Sequence, residues 1–215
     1  GDKDPFALRR HALGVIRMLV DRELPLQLGA LIALAIPTFG ARLADPAAAL
    51  LDFFYDRLDG VLREQGYKAN EVAAVLSLRP QRLAEVGRRL AAVRAFLALP
   101  EAAALAAANK RIGNILRKSE PGAAQVDPAL LQEEEERVLA RALADIRARI
   151  TPLFEAGDYR SALLACAALR APVDAFFDAV LVNAEEAALR RNRLALLEAL
   201  HGQLNRVADL AQLAT

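Results

Sequence analysis

Three Asp-Pro dipeptides, at 4–5, 45–46 and 127–128, each stand ahead of a run in which apolar residues return every three or four positions. An aspartate that can accept a backbone N–H, followed by a proline whose missing N–H is not needed at a first helical position, starts helices. The first such run passes through Leu13, Ile16 and Val20 to about Arg22, and the second continues to a stop at Gly66. The third carries Glu133 to Glu136 in its N-terminal part, where acids suit the helix dipole. Residues 24–43 read as an irregular helical region and 69–77 as a short helix with Asn70 near its start. Pro80 opens a helix to about Leu99, and Pro100 opens another to about Lys118. After Gly157-Asp158 a helix runs through Leu169, and Pro172 starts a short one with Phe176 and Phe177. Asn183 caps a last helix to about Leu213, roughly 30 residues or 45 Å long at 1.5 Å rise. Alanine and leucine dominate, and alternating β-branched runs are missing, so the expectation is an all-α bundle of about eight or nine helices.

The same residues exclude much chemistry. His11 and His201 stand on expected helices without a carboxylate, cysteine or second histidine at ligand spacing, so no metal site is expected. There is no phosphate-binding glycine loop. Cys166, the single cysteine, lies in the apolar run 162–169 without a basic neighbour to activate it. The run Glu133–Glu136 is too local for a matched acid and base. No apolar run reaches the length of a membrane span, and no signal peptide is expected. The one methionine is Met18, which makes a piece of a longer or processed chain the expectation.

Charge is distributed unevenly. Residues 1–118 hold 18 Lys and Arg against 12 Asp and Glu, whereas residues 119–215 hold 10 against 15. The net of +1 therefore covers a polarised molecule, a recognised hint of nucleic-acid contact. The basic half culminates in Asn109-Lys110-Arg111-Ile112-Gly113-Asn114-Ile115-Leu116-Arg117-Lys118. At about 100° per residue, Lys110, Arg111, Asn114, Arg117 and Lys118 share an arc of roughly 120°. Ile112, Ile115 and Leu116 point the other way. No acid interrupts that face, so it suits a polyanion; the alternative is a solvated face whose cations suit the C-terminal dipole. Arg82 and Arg89, with Arg88 at their edge, form a second basic face on the preceding helix.

The last helix holds a local conflict. Leu189, Leu196, Leu200, Leu204 and Val207 make its apolar stripe, yet Arg193 falls in the middle. A buried guanidinium is costly unless paired, so an acidic partner from a neighbouring helix is expected, with Asp174 or Asp178 the first choices and a structural role.

Several segments carry a resemblance. Asp52-Phe53-Phe54-Tyr55-Asp56-Arg57-Leu58 through Leu62-Arg63-Glu64-Gln65-Gly66 resembles the pattern FFxDRLxxxLREQG of the β subunit of bacterial heterotetrameric glycyl-tRNA synthetases. Phe96-Leu97 with 110–116 is similar to that family's FL…KRxxNIL. Residues 176–184 are similar to its FFDxVMVNA, and 189–197 to the LRxNRLALL near the end of a DALR-type anticodon-binding domain. Asp4-Pro5-Phe6-Ala7-Leu8-Arg9-Arg10 resembles the DPxxLRR that ends the preceding HD-like domain.

The resemblance implies residues 1–44 as a helical remnant of that HD-like domain and 45–215 as the anticodon-binding domain. It implies glycine tRNA and the synthetase α subunit as partners, in an α2β2 enzyme of the cytoplasm, with no membrane. Catalysis would lie chiefly in the α subunit. The whole enzyme would use ATP and magnesium, with no cofactor in this chain. Phosphates call for Lys and Arg, and splayed loop bases for flat surfaces and amides. Lys110, Arg111, Arg117 and Lys118 are then candidates for phosphate and Asn114 for a base edge. Arg82, Arg88 and Arg89 would extend the surface if their helix packs beside it. Tyr67 with Lys68 offers a stacking pair or merely closes its turn. A helical scaffold that docks another subunit without touching RNA is the competing reading.

Overall fold

The computed structural model describes residues 6–42, 45–123 and 125–214, so the helix start at Asp4-Pro5 lies outside the described residues. Every regular element among them is helical. The chain divides into two compact units, Gly1–Leu90 and Ala91–Thr215. The division expected at 44/45 falls inside the first of these.

The first unit contains α1 (Leu8–Asp21), α2 (Leu28–Ala35) with a 3-10 turn Ile36–Arg42, α3 (Ala47–Glu64) and α4 (Ala69–Leu76). A second 3-10 turn, Leu83–Glu85, leads into α5 (Val86–Leu97). Ile16, Leu19, Leu28, Leu58, Leu62 and Val72 are buried. Asp45 starts α3 as expected, its carboxylate accepting the Ala47 N–H at 2.9 Å. Gly66 ends it at φ +87°, where the Gly66 and Tyr67 N–H groups return to the Arg63 and Leu62 carbonyls. Glycine adopts that left-handed conformation without strain. The helix expected from Pro80 begins only at Val86. Gln81 is occupied elsewhere: its carbonyl accepts the Leu28 N–H at 2.9 Å and its side chain the Gly29 N–H at 3.0 Å, closing the open end of α2.

The second unit contains α6 (Ala102–Lys118), a 3-10 turn Pro128–Leu130, α7 (Glu134–Glu155) and α8 (Tyr159–Ala165). The turn Cys166–Leu169, α9 (Arg170–Ala179), α10 (Ala187–Leu204) and the turn Leu210–Leu213 complete it. Both α6 and α7 pack on α10, and α7 also packs on α8 and α9. With neighbours on two sides, α10 buries an unbroken run from Asn192 to Leu197, together with Leu200 and Leu204.

Boundaries in this unit also differ from the sequence expectation. Asp127 exchanges two bonds with the Asn192 amide, at 2.7 and 3.1 Å, so Pro128 starts a single 3-10 turn and the α-helix waits until Glu134. Asn183 starts no helix: the stretch before α10 is a bent, irregular segment pinned by guanidinium groups, Arg190 on the Ala184 carbonyl and Arg193 on that of Leu181, both at 2.8 Å. The long last helix stops at Leu204, where Asn205 accepts the Leu210 N–H at 3.0 Å and turns the chain back.

Arg193 is 5% exposed and its partner is Glu136, not Asp174 or Asp178. The guanidinium Nε donates to Oε1 of Glu136 at 2.8 Å, while Oε2 accepts the N–H groups of Gln132 and Glu133. Glu136 thus caps its own helix and neutralises the buried arginine at once, and it is fully buried rather than solvated. Asp174 and Asp178 lie on an exposed face of α9, where Asp174 meets Arg170 at 3.4 Å.

Candidate nucleic-acid interface

The C-terminal half of α6 divides into two faces as its spacing requires. Ile112 is buried, and Ile115 and Leu116 are partly so; Lys110, Arg111, Asn114, Arg117 and Lys118 are all exposed. Asn109, first of the segment, faces inward, fully buried and joined to Asn205 by two amide bonds of 2.9 and 3.2 Å. That pair fixes α6 against the end of α10.

The exposed residues lack acidic partners. Lys110, Arg111 and Lys118 make no hydrogen bond or ion pair with the described residues, and Arg117 donates to the Asn114 side-chain oxygen. The contrast is with Arg137 and Arg141, which both sit on Glu134 at 2.9 and 2.8 Å. Arg111 has an aromatic support instead, its guanidinium carbon 4.1 Å from the centre of the Phe177 ring.

Two grooves flank the face. One, of about 640 Å³, is lined by Lys110, Arg111, Asn114 and Lys118 of α6 and faced by Asn183 and Arg190. The other, of about 730 Å³, runs between Asn114 and Arg117 on one side and His201, Asp209 and Gln212 on the other. Gly113 faces His201 here, where a Cβ would make ordinary contact at 3.4 Å from Nε2. Each groove has one acid on its wall, Glu120 and Asp209, against three or more cations around the first. The sequence pattern offers Asn183 only as a helix cap and gives no sign that it and Arg190 face the first groove. They lie 65 and 72 residues beyond Lys118, the end of α6, out of reach of any local pattern.

The loop after α6 follows α10. Gly122 donates to Glu198 at 3.1 Å and Ala123 to the Arg191 carbonyl at 3.1 Å. A Cβ on Gly122 would fall 2.7 Å from the Ala195 nitrogen, so only glycine fits.

The second basic group belongs to the first unit. Arg82 is exposed, precedes its helix and pairs with Glu85 at 3.5 Å; Arg88 is exposed on α5. Arg89 is a correction to the expected face. It is 8% exposed, with Glu85 at 3.4 Å, and presents no surface charge. Tyr67 is partly buried beside an exposed Lys68 whose N–H is held by Glu71 at 2.9 Å. Cys166 is buried, and desolvation pushes its thiol up to about 12, which leaves no nucleophile there.

The second unit is an all-helical module that exposes cations without acidic partners among the described residues, a surface of the kind that suits a polyanion. The family described as DALR anticodon binding domain matches residues 105–213, and the chain belongs to it. A second family, glycyl-tRNA synthetase beta subunit, matches residues 1–77. Over its whole length the chain is 63% identical to the glycine–tRNA ligase beta subunits of Paracidovorax citrulli and of Leptothrix cholodnii. It is 62% identical to that of Polaromonas naphthalenivorans over 99% of its length. The chain spans about 30% of the length of these relatives. Among the described residues no single helix is long and apolar enough to cross a membrane.

Proposed function

We propose that the second unit grips the anticodon arm of glycine tRNA on the exposed face of α6, as part of a glycyl-tRNA synthetase β subunit in the cytoplasm. The observation that carries this reading is the set Lys110, Arg111, Arg117 and Lys118, exposed together on one helix with no acid paired to them. Phosphates of an A-form stem would replace the counterions of these side chains, giving affinity that falls with salt. In this reading the α subunit performs the ATP- and magnesium-dependent chemistry in an α2β2 assembly, and this chain supplies RNA recognition. Changing Lys110, Arg111, Arg117 and Lys118 together to glutamate should lower affinity for glycine tRNA at least about 100-fold at low salt, with the fold intact. Unchanged affinity would contradict the reading.

One observation favours a second role, docking another synthetase subunit. The first unit has an apolar groove of about 550 Å³ lined by Leu31, Ile32, Phe39, Leu50 and Phe54, with Phe39 64% exposed. A scaffold of that kind would bind the α subunit equally well after the four charge reversals.

A further inference from the structure

Arg111 differs from the other cations of α6 in what lies beneath it. Phe177 supports its guanidinium at 4.1 Å, and Phe176, itself fully buried, braces Phe177 edge-on with ring centres 5.6 Å apart. The cation therefore sits over a ring that a buried neighbour holds in place. Arg111 is nonetheless exposed and lines the 640 Å³ groove, and its N–H groups are uncommitted among the described residues. A phosphate clamp needs only charge and reach, as Lys110 and Lys118 provide. A planar cation laid on an aromatic ring is instead preorganised to receive a second flat π system. Unpaired RNA bases stack on arginine planes in this way.

Resting on the RNA-binding reading above, we propose that Arg111, backed by Phe177, is the platform on which one unpaired base of the bound RNA stacks. The base lies in the 640 Å³ groove, a size suited to a small ligand. Asn114 stands on the groove wall with its side-chain oxygen taken by Arg117, which leaves its NH2 to donate to an acceptor on the base edge. Lys118 and Arg190 line the same groove and serve the phosphate of that nucleotide.

The test uses the full chain and the anticodon stem-loop of glycine tRNA, intact or made abasic at each unpaired position in turn. Arg111→Lys keeps the charge and removes the plane; Phe177→Leu keeps the apolar volume and removes the ring. Each should weaken binding of the intact loop about 10-fold, the scale of one base stack. At one loop position the abasic RNA should bind these variants and the unaltered chain alike, and the salt slope should not change. Arg111→Lys lies on the surface and keeps the test valid even if Phe177→Leu disturbs the core. Binding by Arg111→Lys equal to that of the unaltered chain would overturn the stack and leave the RNA-binding reading standing. A loss that is the same for every abasic loop would also overturn it, marking a backbone contact. Failure of the unaltered chain to bind any of these RNAs at low salt would overturn both.

Discussion

Arg193 and Glu136 show how much one buried pair can organise. One carboxylate oxygen takes the guanidinium Nε, and the other takes two backbone N–H groups and a second guanidinium nitrogen at 3.5 Å, so neither charge is left unsatisfied. Arg193→Met should cost about 3–5 kcal/mol by stranding Glu136, and the double change with Glu136→Gln should recover a large part of it. Denaturant titration of the three proteins checks this. Arg193's position in an apolar stripe made its need for an acid legible, but the identity of that acid was not. Helical spacing relates residues three and four apart, whereas Glu136 is 57 positions away. Gly122 was equally silent in sequence, its demand arising from the α10 backbone. Gly122→Ala should destabilise by about 1–3 kcal/mol as loop and helix separate, measured the same way. His201 is held below its usual 6.5 by burial, with Asp209 opposing, while Lys110 and Arg117 line the groove beside it. The unfolded chain then binds the proton first, so stability declines as pH falls from above 6.5 toward the lowered value and levels off beneath it. Comparing denaturation midpoints of the chain and of His201→Gln at about pH 7.5 and about pH 5 should show a smaller decline in the variant.

At the scale of elements, periodicity located the helices and misplaced some of their ends. The apolar spacing of α10 continues through Val207, Leu210 and Leu213, all buried, so a single long helix was the natural reading. The chain instead turns at Asn205, whose amide serves both Asn109 and the Leu210 N–H. Asparagine competes with helical hydrogen bonding in this way, and the 3-10 turn beyond it returns the same apolar residues to the core. Asn205→Ala should cost about 1–3 kcal/mol, because it orphans the buried Asn109 amide as well as removing the turn's own bond. Exchange of the Leu210 amide hydrogen should quicken in that variant more than exchange across α7. The two-faced character of α6 was the most legible element, since one segment holds both its buried and its exposed sets. The Phe177 support under Arg111 was hidden, because α9 reaches it only through the fold.

For the whole molecule, the four cations of α6 stay without acidic partners among the described residues, while several later acids are consumed in local pairs and caps. Glu134 holds two arginines, Glu136 caps α7, and Asp158 and Asp209 cap their own turns. Under the proposed function the patch discriminates the anticodon arm rather than merely attracting RNA. Titrating the chain with glycine tRNA and with a copy altered in its anticodon, at low and at physiological salt, tests this directly. The proposed function requires tighter binding of the unaltered tRNA at both salts, with affinity for each falling as salt rises. Equal affinity for the two RNAs, or no binding of either at low salt, would contradict it.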